Sequence, residues 1–539
     1  MKKIMKKCLS MLCIAALAVT SLCACSDGSS GTGDTAAKSS DTLNVQICAE
    51  PSSLDPAMNY EPGTFYVTPQ VCDTLLNLSS DLKLEPNIAS SWEKKDNTTY
   101  VYQLRDDVTF SDGSQMTADD VVYCLQRIID PDVGSMVSWM FNSVESIEKT
   151  GDWEVTVKLS QPDSLFQYTM ALSPGMIYSK EACEKADGKF GTMEGGFVGS
   201  GPYVLDSWTS GTEIKMTSND NYWNQKDDIQ IKNINFKIIS DDTAVVTATN
   251  AGEIDLVTLL AGDYLDQIDS SKFNTKVVHS AEARSLFFNC EQTYTNDVNV
   301  RKALASCYDR DAFMNSAYKG MYDPSTGLLF GEKLYPDDSW EEFAKQFQYN
   351  YQYNVEQAKE YLSASKYPDG GFEITALVAA NNGTEMKEAQ LFQAAAKEIN
   401  VDVKLKTVSD AELQTVAFSE KENGLRDYNV YVSGWISDYP DSMGYFETLL
   451  ASWNNVSGAI NFSQYENEEY DALLKKAHET DGEQRSEVLK EAANIVGRDC
   501  PIQTLGYNSS YFVLRSDLDY TFNGMDVWGL YLKNIKRNK

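Results

Sequence analysis

The sequence predicts an α/β protein made of more than one domain, on two observations. Its 539 residues are too many for a single hydrophobic core. Between residues 372 and 435, "FEITALVAA", "TEMKEAQLFQAAAKEIN", "VDVKLKTVS", "DAELQTVAFSEKE" and "DYNVYVSGW" read in turn as strand, helix, strand, helix and strand. That succession forms parallel strands joined by right-handed crossovers.

The earlier elements follow from the same patterning. "DTLNVQICAE" sets Leu43, Val45 and Ile47 against polar neighbours, a half-buried strand. "TTYVYQLRDDVTFSDG" and "WEVTVKLSQP" are two further alternating runs closed by turn residues. Between them "MTADDVVYCLQRIIDP" is a helix. Thr117 and Asp120 stand in a capping-box relation, Val121, Leu125, Ile128 and Ile129 form its apolar stripe, and Pro131 stops it. Glycines and a proline in "VGSGPYVLDSWTSG" mark a boundary near residue 199. Strands such as "IKNINFKII" lead to a second boundary near 286.

Composition narrows the function. Apolar and charged fractions are those of a globular chain, and the formal charge of −33 argues against nucleic acid as a partner. There are two histidines, His279 in strand-like "TKVVHSAEA" and His478 in "LLKKAHET", expected on the polar side of a helix. Counts alone exclude a His-rich metal site or an H-E-x-x-H metalloprotease. Thirty tyrosines suit a site that grips ligands through amphipathic rings.

At the start, "MKKIMKK" and the apolar "CLSMLCIAALAVTSLCA" read as a signal peptide over 1–24. "SDGSSGTGDTAAKSS" then reads as a flexible tether, so that 25–40 comprise Cys25 and tether. Leu22-Cys23-Ala24-Cys25 resembles a bacterial lipobox, in which the cysteine is lipid-modified; the alternative is an ordinary secretory cleavage site. A lipid anchor of two or more chains holds a protein at a membrane without crossing it. Cys48, Cys72, Cys124, Cys183, Cys290, Cys307 and Cys500 read as mostly buried free thiols, with room for one disulfide.

"GWISDYPD" (434–441) lies just past the carboxyl end of a strand in the parallel unit, where open α/β sheets bind ligands. There Gly434 lets backbone come close to something, and Trp435 offers a flat wall.

Several stretches together resemble the oligopeptide/dipeptide-binding class of ABC-transporter solute receptors, extracellular solute-binding protein family 5. They include "EPSSLDP" (50–56), "LEPNIASSWEKKDNTTYVYQLRDDVTFSDGSQMTADDVV" (84–122), "GSGPY" (199–203), "NDNYW" (219–223) and "AGEID" (251–255). "DVNVRKALASCYDRDAF" (297–313), "YNVEQAKEYL" (353–362) and "GWISDYPDSMGYF" (434–446) extend the resemblance over nearly the whole chain after the tether. It implies a two-lobed, periplasmic-binding-protein-like (type II) α/β fold with a two-strand hinge. Lobe I would be 41–58, 199–285 and 506–539, an inserted domain 59–198, and lobe II 286–505.

The resemblance implies no enzyme, metal or cofactor. It implies a monomeric receptor, lipid-anchored through Cys25 on the outer face of the cytoplasmic membrane, that hands short peptides to ABC permease subunits. Asp438 would pair with the ligand's α-ammonium. Backbone of Ser433, Gly434 and Trp435 on one lobe, and of Ile47, Cys48 and Ala49 on the other, would bond an added peptide strand. The plain alternative for Asp438 is a turn residue ahead of Pro440, while Asp441 is expected to cap the following helix. Tyr203 and Trp223 read as packing residues, and Arg301 and Arg310 as fold-holding salt bridges. Other solutes (oligosaccharide, nickel chelate, haem, a pheromone peptide) stay open. A tethered hydrolase is disfavoured, because an Asp438/Asp441 dyad on one short loop cannot face itself across a substrate.

Overall fold

The computed structural model describes residues 41–58, 60–224, 229–319, 321–409, 412–413, 416–417, 426–456, 459–522 and 526–538. The signal peptide, Cys25 and the tether lie outside them, as does most of the helix expected over 410–422. Residues 41–539 make one compact unit. No described helix is long and apolar enough to cross a membrane.

Strand β1 (Thr42–Ile47) is followed by a short hairpin, β2 (Leu76–Leu78) and β3 (Leu84–Pro86). Four antiparallel strands come next: β4 (Ala89–Asp96), β5 (Thr99–Leu104), β6 (Val144–Gly151) and β7 (Glu154–Leu159), paired in the order β4-β5-β7-β6. The helix Ala118–Ile129 packs on this sheet, with both arms of the Thr117/Asp120 capping box formed. Its buried stripe is Ala118, Val121, Cys124, Leu125 and Ile128. Ile129, expected in that stripe, is exposed, because it ends the last turn and rotates off the buried face.

One sheet of eleven strands organises the rest. It contains β1 with β8 (Tyr203–Thr209), β9 (Glu213–Ser218), β10 (Asn233–Ile238) and β11 (Leu256–Val257). Beyond these come β12 (Phe273–Phe288), β13 (Tyr322–Pro324), β14 (Phe372–Ala379), β15 (Val401–Val408), β16 (Val430–Ile436) and β17 (Ile502–Arg515). Their order is β15-β14-β16-β12-β17-β11-β1-β10-β9-β8, with β13 against β17. The expected parallel unit is present: β14 runs parallel to both β15 and β16.

Two long antiparallel strands, β12 and β17, join the two halves of this sheet. Their first and last stretches (Phe273–His279 against Ser509–Arg515) lead to β11, while Glu282–Phe288 lies between β16 and the start of β17. A bulge between His279 and Glu282 separates the two stretches. The boundaries expected at 286 and 506 therefore fall inside continuous strands, since the halves of the sheet share them. All seven cysteines of the described residues are free; five are buried, Cys290 is half-buried and Cys48 is exposed.

Candidate functional site

Asp438 stands two residues past the end of β16 and is only 8 % exposed. Its carboxylate accepts a hydrogen bond from the Tyr60 hydroxyl, and no cation pairs with it among the described residues. Burial pushes its carboxyl up to about 6, against the lowering effect of the Tyr60 hydrogen bond and of a backbone N–H. Burial and the Asp438 charge push the Tyr60 phenol upward as well, so it remains a donor. Tyr60 stacks on Trp528 (centroids 5.9 Å apart) and meets Phe65 and Trp139 edge-on at 5.3 and 6.2 Å.

Asp438, Tyr60, Phe65 and Trp528 line a cavity of about 570 Å³, the size of a small-ligand pocket. Its remaining wall comes from the helix Pro62–Val71, the β2/β3 hairpin, residues 171–176 and the C-terminal segment, with Met140 and Asn224. The helix Pro62–Val71 presents Thr64 and Thr68, four residues apart and so on one face. Gln70 on this helix donates to the Leu530 carbonyl (2.5 Å) and accepts from the Leu532 N–H (3.1 Å). Those bonds dock residues 526–534 against the helix and bring Asp526, Trp528 and Lys533 to the cavity. The approach is close: a Cβ at Gly529 would sit 2.7 Å from the Phe65 carbonyl oxygen. The Trp528 indole donates to the Ser437 carbonyl (2.9 Å), so the C-terminal segment also grips the Asp438 loop.

Asp441 does different work. Its Oδ1 accepts from the Met443 N–H (2.8 Å), and Arg485 donates to both carboxylate oxygens at 2.8 and 3.0 Å. The helix Met443–Leu450 is thus capped by Asp441 one residue earlier than the formal N-cap, Ser442, whose side chain makes no cap bond. Near this pair His478 is buried, a correction to its expected surface position. Tyr470, Leu474, Ala477 and His478 share the buried face of their helix. The Ser164 N–H donates to His478 Nδ1 (3.0 Å), and Nε2 lies 3.1 Å from Glu447. His279 sits on β12, exposed, 2.9 Å from Asp323.

Residues 83–457 match the family described as bacterial extracellular solute-binding proteins, family 5 middle. The chain belongs to this family. It is 26% identical over 522 residues to the oligopeptide-binding protein OppA of Bacillus subtilis, covering 91% of this chain and 92% of that one. It is 29% identical over 524 residues to heme-binding protein A of Haemophilus influenzae, covering 90% and 91%. The solved structure of the ABC transporter-associated periplasmic binding protein DppA from Helicobacter pylori, in complex with the peptide STSA, aligns with a TM-score of 0.76 at 22% identity. The alignment covers 92% of this chain and 98% of that one. The fold is accordingly the two-lobed type II α/β fold of this family, whose members are extracellular or periplasmic solute-binding proteins of ABC importers.

Within this family-5 fold the other predicted site residues lie apart from the cavity wall. Ser433 is buried and its hydroxyl donates to Glu385 (3.2 Å). Gly434 does admit a close approach, though by the protein's own charges: a Cβ there would meet Glu282 at 2.6 Å and Arg284 at 2.7 Å. Trp435 is half-buried, edge-on to Phe462, with its indole N–H unpartnered among the described residues. Beyond Tyr431 strand β16 no longer pairs with β14, so Val432–Ile436 have β12 as their strand neighbour. The Ile47 carbonyl already accepts from the Ile239 N–H (3.0 Å), while Cys48 is exposed and Ala49 half-buried.

Tyr203 and Trp223 are packing residues, donating to the Ile231 carbonyl (3.0 Å) and to Asp73 (2.9 Å). Arg301 and Arg310 hold the fold through carbonyls more than through the salt bridges expected. Arg301 donates to the Thr295, Asp499 and Cys500 carbonyls, and Arg310 to those of Ser325 and Thr504. Both are buried where backbone oxygens converge; Arg310 also donates to the Asn350 side chain and lies 3.8 Å from Asp311, the salt bridge expected of it. Sequence reasoning missed Tyr60, Thr64, Thr68, Asp526, Trp528 and Lys533, which meet Asp438 only through the tertiary fold. No cluster of three or more His, Cys, Asp or Glu among the described residues is arranged to hold a metal ion.

Proposed function

We propose that this chain is the membrane-anchored substrate-binding protein of an ABC importer, tethered through Cys25, which captures short peptides and hands them to a permease. It performs no chemistry. The observation that carries the reading is Asp438: a buried carboxylate held near pKa 6, facing a ligand-sized cavity, with a phenol where a counter-cation would stand. An α-ammonium supplies the missing charge, and in a closed cleft such a pair is strong. The stretch of β16 at Ser433, Gly434 and Trp435, which β14 leaves unpaired and whose Trp435 carbonyl accepts from the Tyr445 hydroxyl (2.9 Å), supplies one edge for strand addition, and Cys48 and Ala49 after β1 the other.

Lobe I (41–58, 199–285, 506–539), the inserted domain (59–198) and lobe II (286–505) close on the ligand by bending at β12 and β17. Hydrogen bonds that cross between these parts would tie them in the closed form, among them Tyr60 to Asp438, Trp528 to Ser437 and Ser164 to His478. The test is native mass spectrometry of the secreted form (residues 26–539) as purified, with sequencing of whatever denaturation releases. A ladder of mixed short peptides, absent from an Asp438→Asn protein, is expected. A single non-peptide mass, or a chain that stays bare and ignores a peptide library, would overturn the peptide assignment.

A further inference from the structure

We infer that the solute in the Asp438 cavity is cationic beyond its α-amine, with no carboxylate seated inside. For a peptide ligand, as proposed above, this means a lysine or arginine close to the amino terminus and a carboxyl end outside the cavity. Three aspartates line the cavity (Asp73, Asp438 and Asp526) against one lysine or arginine, Lys533, among the described residues. Lys533 is already engaged: its Nζ donates to the Tyr222 hydroxyl (2.7 Å), lies 5.2 Å from the centre of that ring and 3.8 Å from Asp73. An incoming carboxylate would have to displace these contacts and meet the three aspartates.

An independent observation points to a polar ligand group on this wall, which the donors of a cation can satisfy. The Thr64 and Thr68 hydroxyls, on residues 3% and 2% exposed that both line the cavity, have no hydrogen-bond partner among the described residues. Buried hydroxyls find partners as a rule, and an ammonium or guanidinium brings several donors to an acceptor wall. Tyr60, Phe65 and Trp528 line the same space, and aromatic faces attract cations there.

Titration calorimetry of the mature protein with Ala-Lys-Ala, Ala-Ala-Ala, Ala-Glu-Ala, Ala-Lys-Ala amide and spermidine tests the inference. Ala-Lys-Ala is expected to bind about tenfold or more tighter than Ala-Ala-Ala, and Ala-Glu-Ala about tenfold weaker than Ala-Ala-Ala. Amidation of Ala-Lys-Ala is expected to leave affinity unchanged or raise it. Equal affinities for the three tripeptides overturn the inference and leave the peptide receptor standing. A loss of about tenfold on amidation does the same, by making Lys533 a carboxylate anchor. Binding of spermidine with no peptide bound keeps the cationic site and removes the peptide assignment. Binding of none of the five overturns both.

Discussion

Asp438 and Asp441 stand three residues apart in one loop and are equally buried, at 8 % exposure, yet the first faces a phenol and the second a guanidinium. Asp441 has its full complement: a backbone N–H at the start of a helix and both arms of Arg485. Its charge is used up inside the fold. Asp438 is buried without that compensation, and its carboxyl rises from 3.8 to about 6 as a result. Stability alone would pair or neutralise such a group. A fold that compensates one carboxylate and leaves its neighbour without a cation supports the binding role proposed for Asp438.

The comparison can be broken most forcefully at Arg485. Arg485→Met leaves Asp441 buried and unpaired, and chemical denaturation should register a loss of about 3–5 kcal/mol. A loss under about 1 kcal/mol would mean that the pair is no more than a surface ion pair. Asp438→Asn should act in the opposite direction, stabilising the ligand-free protein at pH 7 by about 1–3 kcal/mol. The sign follows from linkage. With the folded pKa raised, the unfolded chain has lost its proton over roughly pH 4–6 while the folded chain keeps it. Stability from this group is therefore present in full below that window, falls as pH rises through it and stays low above pH 6. The gain from Asp438→Asn should vanish near pH 4, and wild-type affinity for a cationic ligand should fall about tenfold per pH unit well below pH 6. A flat affinity between pH 7 and 5 would remove Asp438 from the site.

A smaller effect is expected from Tyr60→Phe, which deletes the donor that lowers the Asp438 carboxyl. The midpoint of the pH-affinity curve should move upward by about 1 unit. A downward move would show that the phenol is not the group holding the carboxylate.

Much of this architecture is legible along the chain. The β-α-β unit around β14, β15 and β16 follows from alternation and helical period, and the capping box at Thr117 from spacing alone. The family blocks singled out Asp438 as a candidate, and the expected capping role of Asp441 is seen in its bond from the Met443 N–H. What escaped were partners far away in sequence. Tyr60 and Arg485 sit in "AMNYEPG" and "DGEQRSEV", where nothing local distinguishes them from exposed polar residues. His478 is a different failure, since Tyr470, Leu474, Ala477 and His478 recur at helical spacing and marked its burial. Arg301 likewise stood among apolar neighbours in "VRKALASC", which marked its burial, but its carbonyl partners at Asp499 and Cys500 lie about two hundred residues away and left no local signal.

The finest test separates the two residues that could begin the helix after the site. Ser442 occupies the N-cap position, and as a capping residue its replacement by alanine would cost about 1 kcal/mol. Yet its hydroxyl is buried with no partner among the described residues, and the Met443 N–H goes to Asp441. Removing an unsatisfied buried hydroxyl relieves a desolvation penalty. Ser442→Ala should therefore leave the unfolding free energy unchanged or raise it by up to about 1 kcal/mol. Asp441→Ser should lower it, since the serine can still accept from Met443 but strands Arg485 without its counter-charge. A clear loss in Ser442→Ala would return the cap to Ser442, and Asp441 would then serve the ion pair alone.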